Sequence, residues 1–286
     1  MSEENKKKQQ EEIDNELKNS EKSDQVSPKT HGEILKEQII EGQQTYDRSA
    51  SSILLSSLTA GLEIGFSYLL LCSLGSFLSG KVGEDVIVKA RALVYPIGFI
   101  LVILGQSILF TEQTSLLSLP VLNKKRSIAS LFRLWGIVIL GNLIGGCIMA
   151  IVLTWIGAQL NIFNSDTVVR IAEHVTGVEN IVIFVSAILA GWLMGLLSWL
   201  LTSSKETISR IVLIFMVTSV MAFTDLHHSI IGNVEVFAGL INTNSSITIW
   251  QYLSFEGLAL LGNAVGGVFF VALLKYRAFV YDVGGA

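Results

Sequence analysis

From Ser51 to Lys275 the chain alternates long apolar stretches with short polar connections. Six of them, at about 51–79, 90–121, 131–159, 180–203, 208–240 and 249–275, meet or approach the ~20 residues an α-helix needs to cross a bilayer core of about 30 Å. The pattern predicts an all-α integral membrane domain of six spans over residues 49–278, with a short tail at 279–286. Ahead of it, Ile34, Leu35, Ile39 and Ile40 recur at helical spacing with Lys and Glu between them, which predicts an amphipathic cytoplasmic helix over 31–48. Residues 1–30 are rich in Glu, Lys, Gln, Asn and Ser and hold too few apolar side chains to offset chain entropy, so they are expected to be disordered and dispensable for transport.

The apolar stretches repeat internally. Gly141-Asn142-Leu143-Ile144-Gly145-Gly146 in the third returns as Gly262-Asn263-Ala264-Val265-Gly266-Gly267 in the sixth, 121 residues later. Phe110-Thr111-Glu112 in the second returns as Phe223-Thr224-Asp225 in the fifth, 113 residues later. Three spans per half is an odd number, so the second half must enter the membrane inverted, residues 51–159 matching 180–275. Spans two and five are also interrupted, by Gly105-Gln106-Ser107 with Thr111-Glu112-Gln113-Thr114-Ser115 and by Thr224-Asp225-Leu226-His227-His228-Ser229. Non-helical backbone at membrane depth is tolerated only inside protein or beside a water-filled cavity, so two facing broken spans predict a pathway between them.

Composition agrees: 51% of residues are hydrophobic and 15% charged, with mean hydropathy +0.58. The net charge of −4 belongs to residues 1–50, which hold 12 acidic and 8 basic side chains; the remainder is balanced. No basic patch supports nucleic-acid binding. Cys72 and Cys147 lie within apolar runs and read as small buried hydrophobes. No short basic region followed by an apolar core and a cleavage site opens the chain, so no cleaved signal is expected. With the N-terminus inside, Lys124, Lys125, Arg126, Arg133, Lys205, Arg210, Lys275 and Arg277 are cytoplasmic, against Lys81, Lys89, Arg91 and Arg170 outside. The excess favours both termini in the cytoplasm of a multi-pass protein of the cell membrane.

Ionisable and polar groups within spans are costly and mark function or a structural bond. His228 is the first candidate for the solute pathway, because imidazole titrates near neutrality and can pass a proton to an anion. His227, Phe110, Thr111, Ser229 and Asn233 accompany it in the broken segments. Glu112 and Asp225 fit either the pathway or the capping of half-helix amides. Asn142 and Asn263 fit either the pathway or bonds between helices. Glu63 and Glu235 are secondary candidates, and Glu256 sits nearer a span end. The adjacent histidines lack the His-Glu-x-x-His spacing, and no Gly-x-Ser-x-Gly elbow or paired-cysteine metal motif occurs. No enzyme, catalytic residue, metal or cofactor is therefore expected.

Leu109-Phe110-Thr111-Glu112-Gln113-Thr114, His228-Ser229-Ile230 and the paired Gly-Asn-x-x-Gly-Gly elements, in this order on six spans, resemble the formate/nitrite transporter family over residues 45–278. The resemblance implies an aquaporin-like protomer assembled as a homopentamer in membrane lipid, with one pore per protomer. It implies formate, nitrite, hydrosulfide or a short carboxylate as substrate. Gly232 stands where transporting members carry Asn, with Asn233 one residue later. Glu112, Glu235 and the His227-His228 pair look more like the divergent YfdC-type branch. The basic residue that relatives carry before the fourth span has His174 as its nearest counterpart. A channel for a small monovalent anion or its conjugate weak acid is thus the leading expectation. Its rivals are a channel for a neutral solute or monovalent cation, favoured by the extra acids, and a closed-pore scaffold or sensor acting through the charged tail.

Overall fold

The computed structural model describes residues 7, 8, 10–15 and 29–284, and those residues are helical almost throughout. An amphipathic helix α1 (His31–Asp47) precedes the spans. Thr30 and Glu33 close its start reciprocally: Glu33 N donates to Thr30 Oγ1 at 3.3 Å and Thr30 N to Glu33 Oε2 at 2.6 Å. The first span is α2 (Ala50–Leu78). The second begins with a short helix α3 (Glu84–Ala90) and a 3-10 turn, then breaks into α4 (Pro96–Leu104) and α5 (Phe110–Leu122). The third is α6 (Ile128–Gln159). After α7 (Ser165–Thr176), the fourth is α8 (Asn180–Ser203). The fifth breaks into α9 (Thr207–Phe223) and α10 (Ser229–Leu240). The sixth is α11 (Ile249–Val265), which continues through a π-helical stretch (Gly266–Leu273) into α12 (Leu274–Gly284). Among the described residues, five helices are long and apolar enough to cross a membrane, α8 for example and the stretch Glu84–Leu104.

Two helix crossings, one in each half, hold the fold. A Cβ on Gly61 would lie 2.2 Å from the Asn142 carbonyl, and one on Gly145 2.2 Å from the Leu58 carbonyl. In the second half, Gly191 meets the Asn263 carbonyl at 2.1 Å and Gly266 the Ile188 carbonyl at 2.1 Å. Spans one and three, and spans four and six, therefore touch backbone to backbone, which only glycine permits. The paired motifs of the sequence are these crossings.

Three features differ from the sequence expectations. The connection at 160–179 contains α7, capped by Asn164 Oδ1 accepting from Thr167 N at 3.0 Å and burying Val168, Ile171 and Ala172. It is too short to register as a span, and its apolar stripe is read only once the opposing wall is present. The last helix runs past the expected domain end at 278: Tyr276, Phe279 and Val280 are buried beside Ile34, Leu35 and Ile39 of α1, and that stripe carries the helix on to Gly284. Within the stretch expected to be disordered, residues 10–15 are helical. There Ile13 is buried in the same apolar cluster, Gln10 donates to Asn123 Oδ1 at 2.8 Å, and Lys125 pairs with Asp14 at 2.6 Å. One apolar side chain at the right helical position suffices to seat it. Residues 1–6, 9, 16–28, 285 and 286 lie outside the described residues.

Helix α1 lies beneath the spans on one face. Gln38, fully buried, donates to Ser198 Oγ at 3.1 Å and Thr202 Oγ1 at 3.0 Å. Tyr46 OH donates to the Leu117 carbonyl at 2.9 Å, and Arg126 pairs with Asp47.

The crossings make a controlled prediction. Gly191→Ala is expected to cost about 1–3 kcal/mol by overpacking against backbone that has no side chain to rotate away. Gly136→Ala, where nothing lies within 4 Å of the added Cβ, should leave stability equal or raised. Thermal unfolding in mild detergent measures both, and equal midpoints would refute the crossing as the limiting contact.

Candidate functional site

The two broken spans are built alike, atom by atom. After α4 the backbone turns through Gln106 at φ 58°; after α9 it turns through Asp225 at φ 54°. Ser107 N donates to the Val102 carbonyl at 3.0 Å, and Leu226 N to the Met221 carbonyl at 2.9 Å. Ile108 N donates to Ser56 Oγ at 3.2 Å, and His227 N to Ser186 Oγ at 3.0 Å. Phe110 N and Ser229 N, opening the two following half-helices, donate to Asn142 Oδ1 and Asn263 Oδ1, each at 2.8 Å. The Asn142 amide donates to the Ser57 and Ile108 carbonyls at 2.7 and 2.8 Å. The Asn263 amide donates to the Ala187 and His227 carbonyls at 2.7 and 3.1 Å.

These bonds set the register between the halves at 119 residues in the broken spans, pairing Gln106 with Asp225, Leu109 with His228 and Phe110 with Ser229. The sequence alignment of Phe110-Thr111-Glu112 with Phe223-Thr224-Asp225 is corrected by six residues. The first triplet opens a half-helix, the second lies at the end of one, and the similarity of three letters does not follow the backbone. Asn142 and Asn263, both fully buried, spend their amides on backbone and do not line the cavity.

The starts of α5 and α10 meet where Thr111 Oγ1 and His228 Nε2 lie 2.7 Å apart. His228 is buried, and its Nδ1 has no partner among the described residues. Phe99 presents an edge-to-face contact to its ring at 5.0 Å, and Tyr95 stacks on Phe99 at 5.2 Å. The positive ends of two helix dipoles thus converge on one histidine and one hydroxyl within an apolar collar. His227 has the opposite task. Its Nδ1 lies 2.8 Å from Ser186 Oγ and its Nε2 3.0 Å from the Val175 carbonyl, so the ring ties the break to α8 and the end of α7.

On the face away from α1, a cavity of about 700 Å³ leads to His228. Tyr95, Asp225, His227, Glu235 and Phe255 line it, together with Arg91 and His174. Asp225 sits at its rim, paired with Lys89 at 3.2 Å and His174 at 3.4 Å. Glu112 lies on the other side of the Thr111–His228 contact, toward α1, within electrostatic reach of Glu41 and Arg210.

Several expected pathway residues also make contacts of their own. Asn233 belongs to a separate buried cluster: its Oδ1 accepts from Tyr252 OH at 2.6 Å and its Nδ2 donates to the Leu143 carbonyl at 3.1 Å. Phe110 packs edge-on against Trp135 at 5.7 Å. Ser229 is fully buried and contributes its backbone N–H to Asn263. Glu63 stands beside the first break, its Oε1 3.4 Å from where a Gly105 Cβ would be, and its buried Oε2 has no partner among the described residues. Glu235 reaches the cavity. Arg91 lines the cavity too, whereas the sequence counts it only among the outside charges; its place at the very start of the expected second span was the available signal. Among the described residues, no cluster of three or more His, Cys, Asp or Glu is arranged to hold a metal.

Known proteins share this architecture. The family described as Formate/nitrite transporter matches residues 32–277. The chain is 32% identical over 250 residues to Inner membrane protein YfdC of Escherichia coli (strain K12), covering 85% of this chain and 77% of that protein. A solved FNT family ion channel superposes with a TM-score of 0.78 at 23% identity, covering 86% of this chain and 98% of the other. A structure titled Pentameric formate channel with formate bound superposes with a TM-score of 0.69 at 19% identity, covering 81% and 98%. Six apolar crossings, two of them broken and pinned by paired asparagines, and a match over nearly the whole membrane domain lead to one conclusion: the chain belongs to the formate/nitrite transporter family.

Proposed function

We propose that the protein conducts a small monovalent anion, of the formate or nitrite class, or its conjugate weak acid, along a path through the Thr111–His228 contact. The observation that carries this reading is His228 itself: it is buried where two half-helix N-termini meet, bonded to Thr111 through Nε2, with Nδ1 free of any protein partner. An anion in the cavity loses water on reaching Tyr95 and Phe99 and gains the dipoles of α5 and α10 together with the imidazole. If the ring is protonated, its N–H bond breaks as an O–H bond forms on the anion, the neutral acid crosses the collar, and the proton is released beyond it. The family's name and the formate-bound pentameric relative support the substrate class and a homopentamer with one pore per protomer.

The Lys and Arg bias supports a cytoplasmic position for α1 and both termini, and the name of the Escherichia coli relative supports the inner or plasma membrane. Lys124→Cys, in the turn after α5, is then expected to be labelled by an impermeant thiol reagent only after permeabilisation, and Gly80→Cys, after α2, without it. The opposite pattern inverts the topology.

Liposomes carrying the protein are expected to take up formate and nitrite well above protein-free liposomes, and neither potassium nor glycerol. Potassium or glycerol uptake without anion uptake would replace the anion reading with a cation or neutral-solute one, in line with the partnerless carboxylate oxygen of Glu63. Formate flux in the wild type should depend on pH, because a proton passing between the ring and the anion is part of the proposed step. His228→Asn should flatten that dependence. His227→Asn should keep the slope but lower thermal stability, since its ring holds α7 and α8 to the break. A flat profile in His227→Asn with a wild-type one in His228→Asn would assign the pathway to the other histidine.

A further inference from the structure

Arg91 lies in the 3-10 turn ahead of α4, is only 9% exposed, and lines the same cavity as His228. Its Nε is buried without a hydrogen-bond partner, and among the described residues its guanidinium makes no ion pair within 4.0 Å. The two acids that share the cavity do not supply one. Asp225 is taken by Lys89 and His174. Glu235, itself 8% exposed, lines the cavity but lies beyond ion-pair distance of the guanidinium. A guanidinium taken this far from water without a bonded partner is expensive, and its planar fork matches the two oxygens of a carboxylate or nitrite.

The internal symmetry gives a contrast. Arg91 and Arg210 are separated by the same 119 residues that relate the two breaks, and the Nε of each is buried without a partner. Arg210 stands at the opposite mouth within reach of Glu41 and Glu112. Arg91 stands within the same electrostatic reach of a single acid, Glu235.

We infer that Arg91 is the anion-binding residue of this vestibule, holding a small monovalent oxyanion through its guanidinium before the anion reaches His228, with Glu235 opposite it as the group that disfavours a second negative charge. The site therefore takes formate or nitrite and rejects a dicarboxylate, for which one end on Arg91 brings the other against Glu235. This inference rests on the anion-channel reading above and adds the residue that sets apparent affinity at this mouth.

The test is the concentration dependence of formate flux into liposomes, with orientation fixed by the thiol label and equal protein incorporation. Arg91→Gln is expected to raise KM for entry from the cavity side by about tenfold or more, the loss of a charge-assisted hydrogen-bond pair, while maximal flux changes little. Arg91→Lys keeps the charge but loses the fork, and should give an intermediate KM. Lys81→Gln, an exposed charge stacked over Phe77, should leave KM unchanged and so separates local binding from general surface potential. Oxalate should inhibit formate entry weakly in the wild type and more strongly in Glu235→Gln. Wild-type KM in Arg91→Gln, or an equal rise in Lys81→Gln, overturns the inference. If Arg91→Gln does not assemble, Arg91→Lys decides: an unchanged KM there overturns it equally. Absence of formate flux in the wild type would instead sink the proposed function, whereas wild-type flux with an unmoved KM in both arginine variants sinks only the role of Arg91.

Discussion

Two asparagine side chains make the interrupted spans possible. A chain that leaves the helix in the middle of a bilayer frees N–H and C=O groups that lipid cannot satisfy. Asn142 and Asn263 each answer two of these needs and anchor the break to a neighbouring span: the carbonyl oxygen accepts the first N–H of a half-helix, and the amide donates to the extended carbonyl two residues earlier and to a carbonyl of that span. Each asparagine reaches the break because its own helix crosses its partner at glycine, backbone against backbone. A side chain at Gly61 or Gly191 would push that crossing apart and withdraw the carboxamide. Close packing and the polar pathway are therefore one construction.

The pinning also gives the two adjacent histidines different partners. The His227 carbonyl is held by Asn263 and its ring by Ser186 and Val175, so the extended backbone turns the next side chain the other way. His228 then meets Thr111 from the other half of the molecule. In the first break the residue in the same place is Leu109, fully buried. The halves share a backbone but not a chemistry: one contributes an imidazole, the other a hydroxyl two residues further on.

Charge is distributed with the same asymmetry. The rim acid, Asp225, is neutralised by Lys89 and His174, while Glu112 shares the α1 side with Glu41 and Arg210. The acids that argue in sequence against anion passage are thus not a ring around one constriction. They lie on both sides of the histidine, and each side also carries an arginine.

Hydropathy and length were enough to read an all-α membrane domain of six crossings, and the Gly-Asn-x-x-Gly-Gly pair was enough to read an inverted repeat, because those properties are carried by local composition and by identical residues doing identical work. His228 was legible for the same reason, an ionisable side chain within an apolar span. The sequence could not say that Asn142 and Asn263 hold backbone while Arg91 faces the cavity, nor that Asn233 belongs to a separate cluster with Tyr252, nor that the breaks align at Gln106 and Asp225. Those assignments depend on which groups from distant parts of the chain come within hydrogen-bond distance, and a polar residue in an apolar run looks the same whether its partner is a carbonyl three helices away or a passing solute. Only the packed helices settle that, since burial and partner are properties of the pair and not of either residue.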